Sequence, residues 1–281
     1  MKIKTTYFQG KNTTARISKC ILSVGLMAYA IAGIANAQTL INGNFTETNA
    51  ITPVGGNTNP ASAGGGQLGY SIAATGWTVP TVHPGNTLDF LMVPSLAGST
   101  GVPSYYNSHF ALWSTNNGGL DTITAPPGGG NMVAADGDPT FSGPISQTIT
   151  GLTIGNQYAV SFEWAAAQQS GQGSAGSYTT EKWAVSFGGS SNTTTTYTNP
   201  YSGFSGWMAT NFTYTATNTS ELLQFLAKGT PSGVPPVSLL ADVSFNVVPE
   251  PTSMGYGVTL MVIALTIFVI RKTRNNKSPR V

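Results

Sequence analysis

The sequence predicts an all-β protein: one antiparallel β-sandwich of jelly-roll type, preceded by a signal helix and followed by a single transmembrane helix. Three observations predict this class. Apolar and polar residues alternate with period two across residues 38–247, turn residues separate the alternating segments, and an uncharged apolar run lies near each end of the chain. We count roughly ten to twelve strand candidates. A parallel β-helix is the alternative, but no short repeat of fixed period supports it.

The amino-terminal segment, residues 1–37, has the three parts of a secretory signal peptide. A basic stretch without acidic residues precedes the apolar run Cys20–Ile34, which ends at the small-x-small sequence Ala-Asn-Ala. This order predicts recognition by the Sec export machinery and cleavage after Ala37, with Ala35 and Ala37 as the cleavage-site residues. The alternative is an uncleaved anchor.

The exported part is acidic, although the whole chain has a formal net charge of +2. Ten of the twelve basic residues lie in the terminal segments, so residues 38–248 keep only Lys182 and Lys228 against nine acidic residues, a formal charge of −7. Such a domain lacks the basic surface that nucleic acid requires. The single cysteine, Cys20, lies in the signal segment, which excludes disulfides and thiolate chemistry from the exported part.

Four segments show the alternation most clearly, and each predicts a half-buried strand whose aromatic and branched residues share one face. Segments rich in Gly, Pro, Asn and Ser separate them and predict loops at 53–66, 125–131 and 168–177, with an edge strand and turn at 191–198. The residues predicted to share a face are, strand by strand, Tyr158, Val160, Phe162 and Trp164; Trp183, Val185 and Phe187; Phe212 and Tyr214; and Val237, Leu239, Ala241, Val243, Phe245 and Val247.

The sequence offers little for catalysis, and we expect no enzyme activity. His83 and His109 have no acid or cysteine near them at ligand spacing, and no GxSxG motif is present, so a nucleophile-histidine-acid triad is not indicated.

A glycoside hydrolase is the remaining catalytic alternative, since it needs only two converging carboxylates. Glu163 and Glu181 lie on neighbouring strand candidates, and Asp136 and Asp138 lie in a DGDP sequence that is typical of a turn. With nine acidic residues in the domain, chance pairs are common.

A calcium site is the metal hypothesis. Asn42 lies in the first strand candidate and Asp242 in the last, and these two strands lie close together in a jelly roll, where carboxylate and backbone oxygens suit a hard cation. No other cofactor is indicated.

Aromatic residues are the candidates for glycan binding, because sugars stack their apolar faces on aromatic rings. Trp164 and Trp183 lie on alternating apolar faces, which predicts that they pack in the core. Trp113 and Tyr178 lie in segments with turn residues, so they are the predicted glycan-binding residues.

The carboxyl-terminal segment, residues 248–281, combines three features. The uncharged run 254–270 is just long enough to cross a bilayer core of roughly 30 Å. The basic tail 271–281 begins with Arg271, Lys272 and Arg274, which predicts a stop-transfer cluster in the cytoplasm. An anchor alone does not explain the preceding Pro-Glu-Pro.

This tail resembles the PEP-CTERM sorting signal of Gram-negative bacteria. Pro249, Glu250 and Pro251, a short spacer, a hydrophobic helix and a basic end occur in that order. The resemblance implies recognition of the Pro-Glu-Pro by exosortase, a membrane protease associated with polysaccharide export. It therefore implies an inner-membrane intermediate, followed by release to the cell surface or the extracellular space.

The exported part resembles galactose-binding-like jelly rolls, including carbohydrate-binding modules, in stretches such as INGNF, TTEKWAVSFGG and VSLLADVSF. Two departures concern the calcium site that such modules carry. Thr46 stands where their glutamate is found, with Glu47 one place later, and Ala241 precedes Asp242 in place of a second aspartate.

These features predict an exported, non-catalytic cell-surface or extracellular-matrix protein that associates with exopolysaccharide or biofilm. A specific carbohydrate-binding module is the alternative, and a glycoside hydrolase is a further one. Fold resemblance alone does not decide between them.

Overall fold

The structure, a computed structural model, describes residues 40–51, 65–80, 87–104 and 109–249. The predicted signal segment and the predicted helix 254–270 lie outside these residues. Within them, no helix has the length and apolar character needed to span a membrane.

The strands are β1 Thr48–Ala50, β2 Gly65–Gln67, β3 Ile72–Ala74, β4 Asp89–Met92, β5 Val102–Pro103, β6 His109–Phe110, β7 Met132–Asp136, β8 Ile145–Thr150, β9 Gln157–Gln168, β10 Thr179–Phe187, β11 Ser190–Thr193, β12 Tyr197–Asn199, β13 Met208–Thr215, β14 Ser220–Thr230 and β15 Pro236–Val247. The helices are the single-turn α1 Pro94–Ala97 and the 3₁₀ turn Thr115–Asn117.

Two antiparallel sheets face each other. The six-stranded sheet has the order β13-β9-β15-β7-β4-β2, and the second sheet has the order β11-β10-β14-β8, with β12 also paired to β10. The long strands alternate between the sheets along the chain: β7, β9, β13 and β15 belong to the first, and β8, β10 and β14 to the second. This confirms the predicted antiparallel sandwich, and the alternation is typical of double-sheet jelly rolls.

The main core lies between the two sheets and contains most of the residues predicted to share strand faces. Period-two alternation points every second side chain of β9 and of β10 inward, as predicted. Trp183 is fully buried, and its indole N–H donates a 3.0 Å hydrogen bond to the carbonyl of Leu239 on the facing sheet. The predicted packing of Trp164 and Trp183 in the core is confirmed.

A second core lies on the outer face of the six-stranded sheet, and the strand patterns do not predict it. Phe90, Met132 and Leu239 point to this side and are buried beneath the segments around α1, the 3₁₀ turn and residues 200–207. Phe90 and Phe110 stack there with ring centroids 4.0 Å apart. Part of the six-stranded sheet is therefore apolar on both faces.

The predicted alternation of β15 is wrong in its second half. The register with β9 shifts between Ala241 and Ser244, so two residues lie opposite Phe162, which is a β-bulge. Asp242 lies in this bulge with a φ of 51°. Because the extra residue reverses which side chains point inward, the strand changes faces there. Val237, Leu239 and Ala241 face the second core, Val243 and Phe245 face the main core, and Val247 is exposed.

Candidate functional site

A surface groove of about 460 Å³ lies on the outer face of the six-stranded sheet, beside the second core. Strands β13, β9 and β15 form its floor, and the loop that precedes β7 forms one wall. Its lining residues are Pro127, Gly128, Ser161, Phe162, Glu163, Ala209, Thr210, Asn211 and Asp242.

Strand pairing places the polar side chains of the floor. Ser161 and Glu163 alternate with the core residues of β9, so they point away from the main core. Asn211 of β13 lies opposite Ser161, and its side-chain amide donates a 2.7 Å hydrogen bond to the Ser161 hydroxyl. Ala209 lies opposite Glu163 and leaves space beside its carboxyl group.

The bulge of β15 brings the second carboxyl group, that of Asp242, into the groove. The Asp242 carboxylate accepts a 2.7 Å hydrogen bond from the backbone N–H of Gly128 in the wall loop. A Cβ atom at Gly128 would lie 2.6 Å from an oxygen of that carboxylate, so the close approach requires glycine.

Trp207 holds the same loop from its other end. Its indole N–H donates a 3.0 Å hydrogen bond to the carbonyl of Thr124, and its ring packs edge-on against Phe204 with centroids 6.3 Å apart. The loop is therefore attached both to the segment before β13 and to β15, which fixes the wall of the groove.

The groove is acidic. Burial, and then the charge of Asp242, raise the pKa of Glu163 above its usual value. Among the described residues that line the groove, none is lysine, arginine or histidine. The site can therefore accept hydrogen bonds from hydroxyl or amino groups, and it disfavours an anion.

The structure brings the two predicted calcium-ligand segments together but not the two predicted side chains. The backbone N–H of Val243, next to Asp242, donates a 2.9 Å hydrogen bond to the carbonyl of Gly43. The amide group of Asn42 instead donates to the carbonyls of Glu47 and Thr75 and accepts from the Glu47 N–H. A cleft of about 360 Å³ lies between these segments and includes Asp242.

Across the residues that the structure describes, no three His, Cys, Asp or Glu side chains form a group suited to a metal ion. Calcium binding at Asn42 and Asp242 stays a prediction.

The predicted glycan-binding aromatics lie outside the groove. Trp113 is half-buried, its ring meets Tyr201 edge-on at 5.7 Å, and its indole nitrogen is buried. Tyr178 is 62% exposed in the loop before β10. Their role in glycan binding stays a prediction. His109 is exposed on β6, and His83 lies outside the described residues.

The acidic residues considered for hydrolysis occupy separate places. Glu163 lines the groove, whereas Glu181 points into the sandwich from β10, where burial raises its pKa to about 8 although the Thr179 hydroxyl lowers it. Asp136 ends β7, and burial raises its pKa to about 7. Asp138 starts the predicted turn: its backbone N–H donates to Asp136, and its carboxylate accepts from the backbone of Thr140.

The predicted sorting and cleavage residues lie almost entirely outside the described part of the chain. Of the Pro-Glu-Pro only Pro249 is described, and it is exposed. The others outside it are Ala35, Ala37, Glu250, Pro251, Arg271, Lys272 and Arg274.

Glu163 and Asp242 thus belong to one site, although in the sequence Glu163 is a candidate for hydrolysis and Asp242 a candidate calcium ligand. Ser161, Asn211 and Gly128 were missed. The outward position of Ser161 followed from the alternation of β9, but its pairing with β13, fifty residues further along the chain, has no local signal.

Neither a protein-family model nor a curated protein matches the sequence. Several solved structures are similar to part of this chain's fold. The CBM22-1 xylan-binding domain of Paenibacillus barcinonensis Xyn10C does so with a TM-score of 0.30 and 9% identity, over 66% of this chain and 90% of that one. TmCBM61 in complex with beta-1,4-galactotriose gives a TM-score of 0.26 and 19% identity, over 43% and 72%.

The sugar-binding EclA C-terminal domain gives a TM-score of 0.27 and 16% identity, over 36% of this chain and 64% of that one, which is under two thirds of its length. At these scores the overlaps assign neither a family nor a ligand. The described fold and groove define the class: an antiparallel β-sandwich with an acidic surface groove.

Proposed function

We propose that this protein is an exported, non-catalytic component of the cell surface or extracellular matrix, and that its sandwich binds a polysaccharide in the groove. The proposal rests on one observation: the groove combines two carboxyl groups, an amide and a hydroxyl on an open sheet face. These are the groups that hydrogen-bond sugar hydroxyls.

The charge of the groove favours an uncharged glycan. Hydrogen bonds from sugar hydroxyls to the carboxylates of Glu163 and Asp242 are charge-assisted, which makes them stronger than neutral ones. An acidic sugar would bring a third negative charge to the pair. Asn211 both donates and accepts, so it suits the mixed hydroxyl pattern of a sugar ring.

Binding is tested with the full-length protein on a panel of neutral and charged polysaccharides. We expect retention by at least one neutral glycan, weakened about tenfold by E163Q or N211A, in line with the loss of one or two hydrogen bonds. Thr148→Ala, an exposed change on the second sheet, is the control. Absence of binding to every neutral glycan in the panel would refute the proposal. Loss of biofilm cohesion on deletion, without sugar specificity, would instead indicate a purely structural component.

A glycoside hydrolase is the second candidate, because Glu163 and Asp242 share the groove and the raised pKa of Glu163 suits a general acid. The two candidates differ in one measurement. Release of new reducing ends from the bound glycan, abolished by E163Q, would establish hydrolysis. Stable retention without release supports the binding module.

Sorting by exosortase is the second part of the proposal, supported by the order of Pro-Glu-Pro, apolar run and basic tail in the sequence. In cells that contain the enzyme, mass spectrometry should find the protein without the segment that follows the Pro-Glu-Pro. In cells without it, the segment should be retained. An intact tail of residues 271–281 in enzyme-containing cells would contradict this part.

A further inference from the structure

The two lysines of the exported part lie side by side. Lys182 of β10 and Lys228 of β14 are direct cross-strand partners in the second sheet. Both point away from the main core, because their neighbours Trp183 and Ala227 point into it. The stretch 38–248 contains no other lysine and no arginine. Its entire basic charge is therefore concentrated at one place on the outer face of this sheet.

The outward positions around this pair are uncharged and rich in hydroxyl groups. Thr180 and Thr230 form the next cross-strand pair, with their hydroxyl oxygens 2.7 Å apart. No acidic residue occupies an outward position of β10 or β14. The outward residues of these two strands, apart from the lysines, are Thr180, Ala184, Ser186, Ser220, Leu222, Gln224, Leu226 and Thr230.

Most acidic residues are located elsewhere. The turn of Asp136 and Asp138 is hydrogen-bonded to Gly229, next to Lys228, but the Asp138 carboxylate accepts from the backbone of Thr140 and Gly233. Five of the nine are buried: Asp89, Asp136, Asp138, Glu181 and Glu221. Glu163 and Asp242 line the groove, which lies on the outer face of the other sheet. The acidic composition of the domain therefore does not make the face around the lysines acidic.

This placement works against stability. Like charges directly opposite each other on neighbouring strands destabilise a sheet, and no outward acidic side chain of β10 or β14 compensates the two lysines. An anion that bound between the two ammonium groups would remove this repulsion. The arrangement is thus complementary to a ligand with negative charge.

We propose that this face binds an anionic polysaccharide, whose carboxylate groups contact Lys182 and Lys228. The hydroxyls of Thr180 and Thr230 belong to the same face. Two lysines are fewer than the four to eight basic residues typical of anionic-lipid sites. They are also too few for the dense phosphates of nucleic acid. The flanking hydroxyls and the Gln224 amide suit sugar hydroxyls. The outward residues of β10 and β14 include no aromatic ring, and the exposed Tyr178 lies just before β10.

This site is separate from the groove and does not depend on the proposed function. The groove disfavours anions, whereas this face attracts them. A neutral chain in the groove and an anionic chain on this face would be cross-linked by the protein.

The test compares polygalacturonate with its methyl-esterified form, which keeps the sugar backbone but lacks the charge. We expect the full-length protein to bind polygalacturonate at low salt, with affinity falling at least about fivefold between 20 and 200 mM NaCl because salt screens exposed charges. K182Q/K228Q should lose about tenfold in affinity. K182R/K228R, which keeps both charges, should retain binding, and so should the groove variant N211A.

Four results would overturn this inference: no binding of polygalacturonate at low salt, equal binding of the esterified form, full binding by a folded K182Q/K228Q, or loss of binding in N211A. Near-ultraviolet circular dichroism establishes that each variant is folded. Binding of neutral glycans in the groove with no binding of polygalacturonate would leave the proposed function standing while this inference fails. Binding of polygalacturonate with no binding of neutral glycans would leave this inference standing while the proposed function fails.

Discussion

The backbone N–H of Gly128 donates a 2.7 Å hydrogen bond to Oδ2 of Asp242, which lies 114 residues further along the chain. This bond joins the loop before β7 to the bulge of the last strand, and it closes one side of the groove. The shape of the groove therefore depends on a contact between the loop that precedes β7 and the last strand, β15.

Gly128→Ala should disturb this contact. The new Cβ atom would lie 2.6 Å from the Asp242 carboxylate, so either the loop or the carboxylate must move and the hydrogen bond is lost. We expect a loss of about 1–2 kcal/mol in the free energy of unfolding, measured by urea denaturation. Gly189→Ala is the matched control, because nothing lies within 4 Å of its added Cβ atom. Equal losses in both variants would contradict the role assigned to Gly128.

Asp242→Asn should lower the pKa of Glu163. The charge of Asp242 contributes to the raised value after burial, and asparagine removes that charge while it keeps an acceptor for the Gly128 N–H. Titration of the Glu163 side-chain carbon by NMR measures the shift. Asp121→Asn, on an exposed loop, should leave the Glu163 curve in place. An unchanged Glu163 pKa in D242N would show that the two carboxyl groups do not interact.

The strands were predictable from the sequence because half-buried strands leave a local pattern. Tyr158, Phe162 and Trp164 all lie at even-numbered positions of β9, so they share one face of the strand. All three side chains pack in the main core. The same pattern failed in β15, where both faces of the strand are buried and a bulge exchanges them. A single inserted residue leaves no signal in a segment that is apolar on both sides.

The groove was not predictable, because it depends on which strands are neighbours. Glu163 pairs with Ala209 of β13 on one side and with Ala241 of β15 on the other, and these pairings span tens of residues. The burial of Trp113 was also not predictable from its local sequence. Its segment is rich in turn residues, yet packing against Tyr201 leaves it half-buried.

Stability should fall as the pH rises. Burial raises the pKa of Glu181 to about 8 and that of Asp136 to about 7, and it also raises the pKa of Asp89. Glu181 and Asp136 therefore keep their protons to a higher pH in the folded state than in the unfolded chain, which releases them near pH 4. Their contribution is therefore complete below pH 4 and is lost as the pH rises towards 8.

For Glu181 this amounts to roughly 3 kcal/mol between pH 5 and pH 8, so Tm should decrease over that range. E181Q, which cannot ionise, should flatten the decrease, and E47Q at an exposed glutamate should not. Thermal unfolding followed by circular dichroism at both pH values measures the slopes. Wild-type Tm that is constant or increases from pH 5 to pH 8 would be incompatible with buried, protonated Glu181.

Trp183→Phe and Trp113→Phe remove the same indole group from two different environments. Trp183 is fully buried and donates to the Leu239 carbonyl, so its replacement leaves both a gap and an acceptor without its donor. We expect a loss of about 2–4 kcal/mol in the free energy of unfolding. The indole N–H of Trp113 is buried and meets no acceptor among the described residues. Phenylalanine there removes an unsatisfied donor and should cost at most about 1 kcal/mol. Urea denaturation of the two variants measures this difference, and a loss at Trp113 as large as that at Trp183 would show that the ring contact with Tyr201, and not the indole N–H, decides the cost at that position.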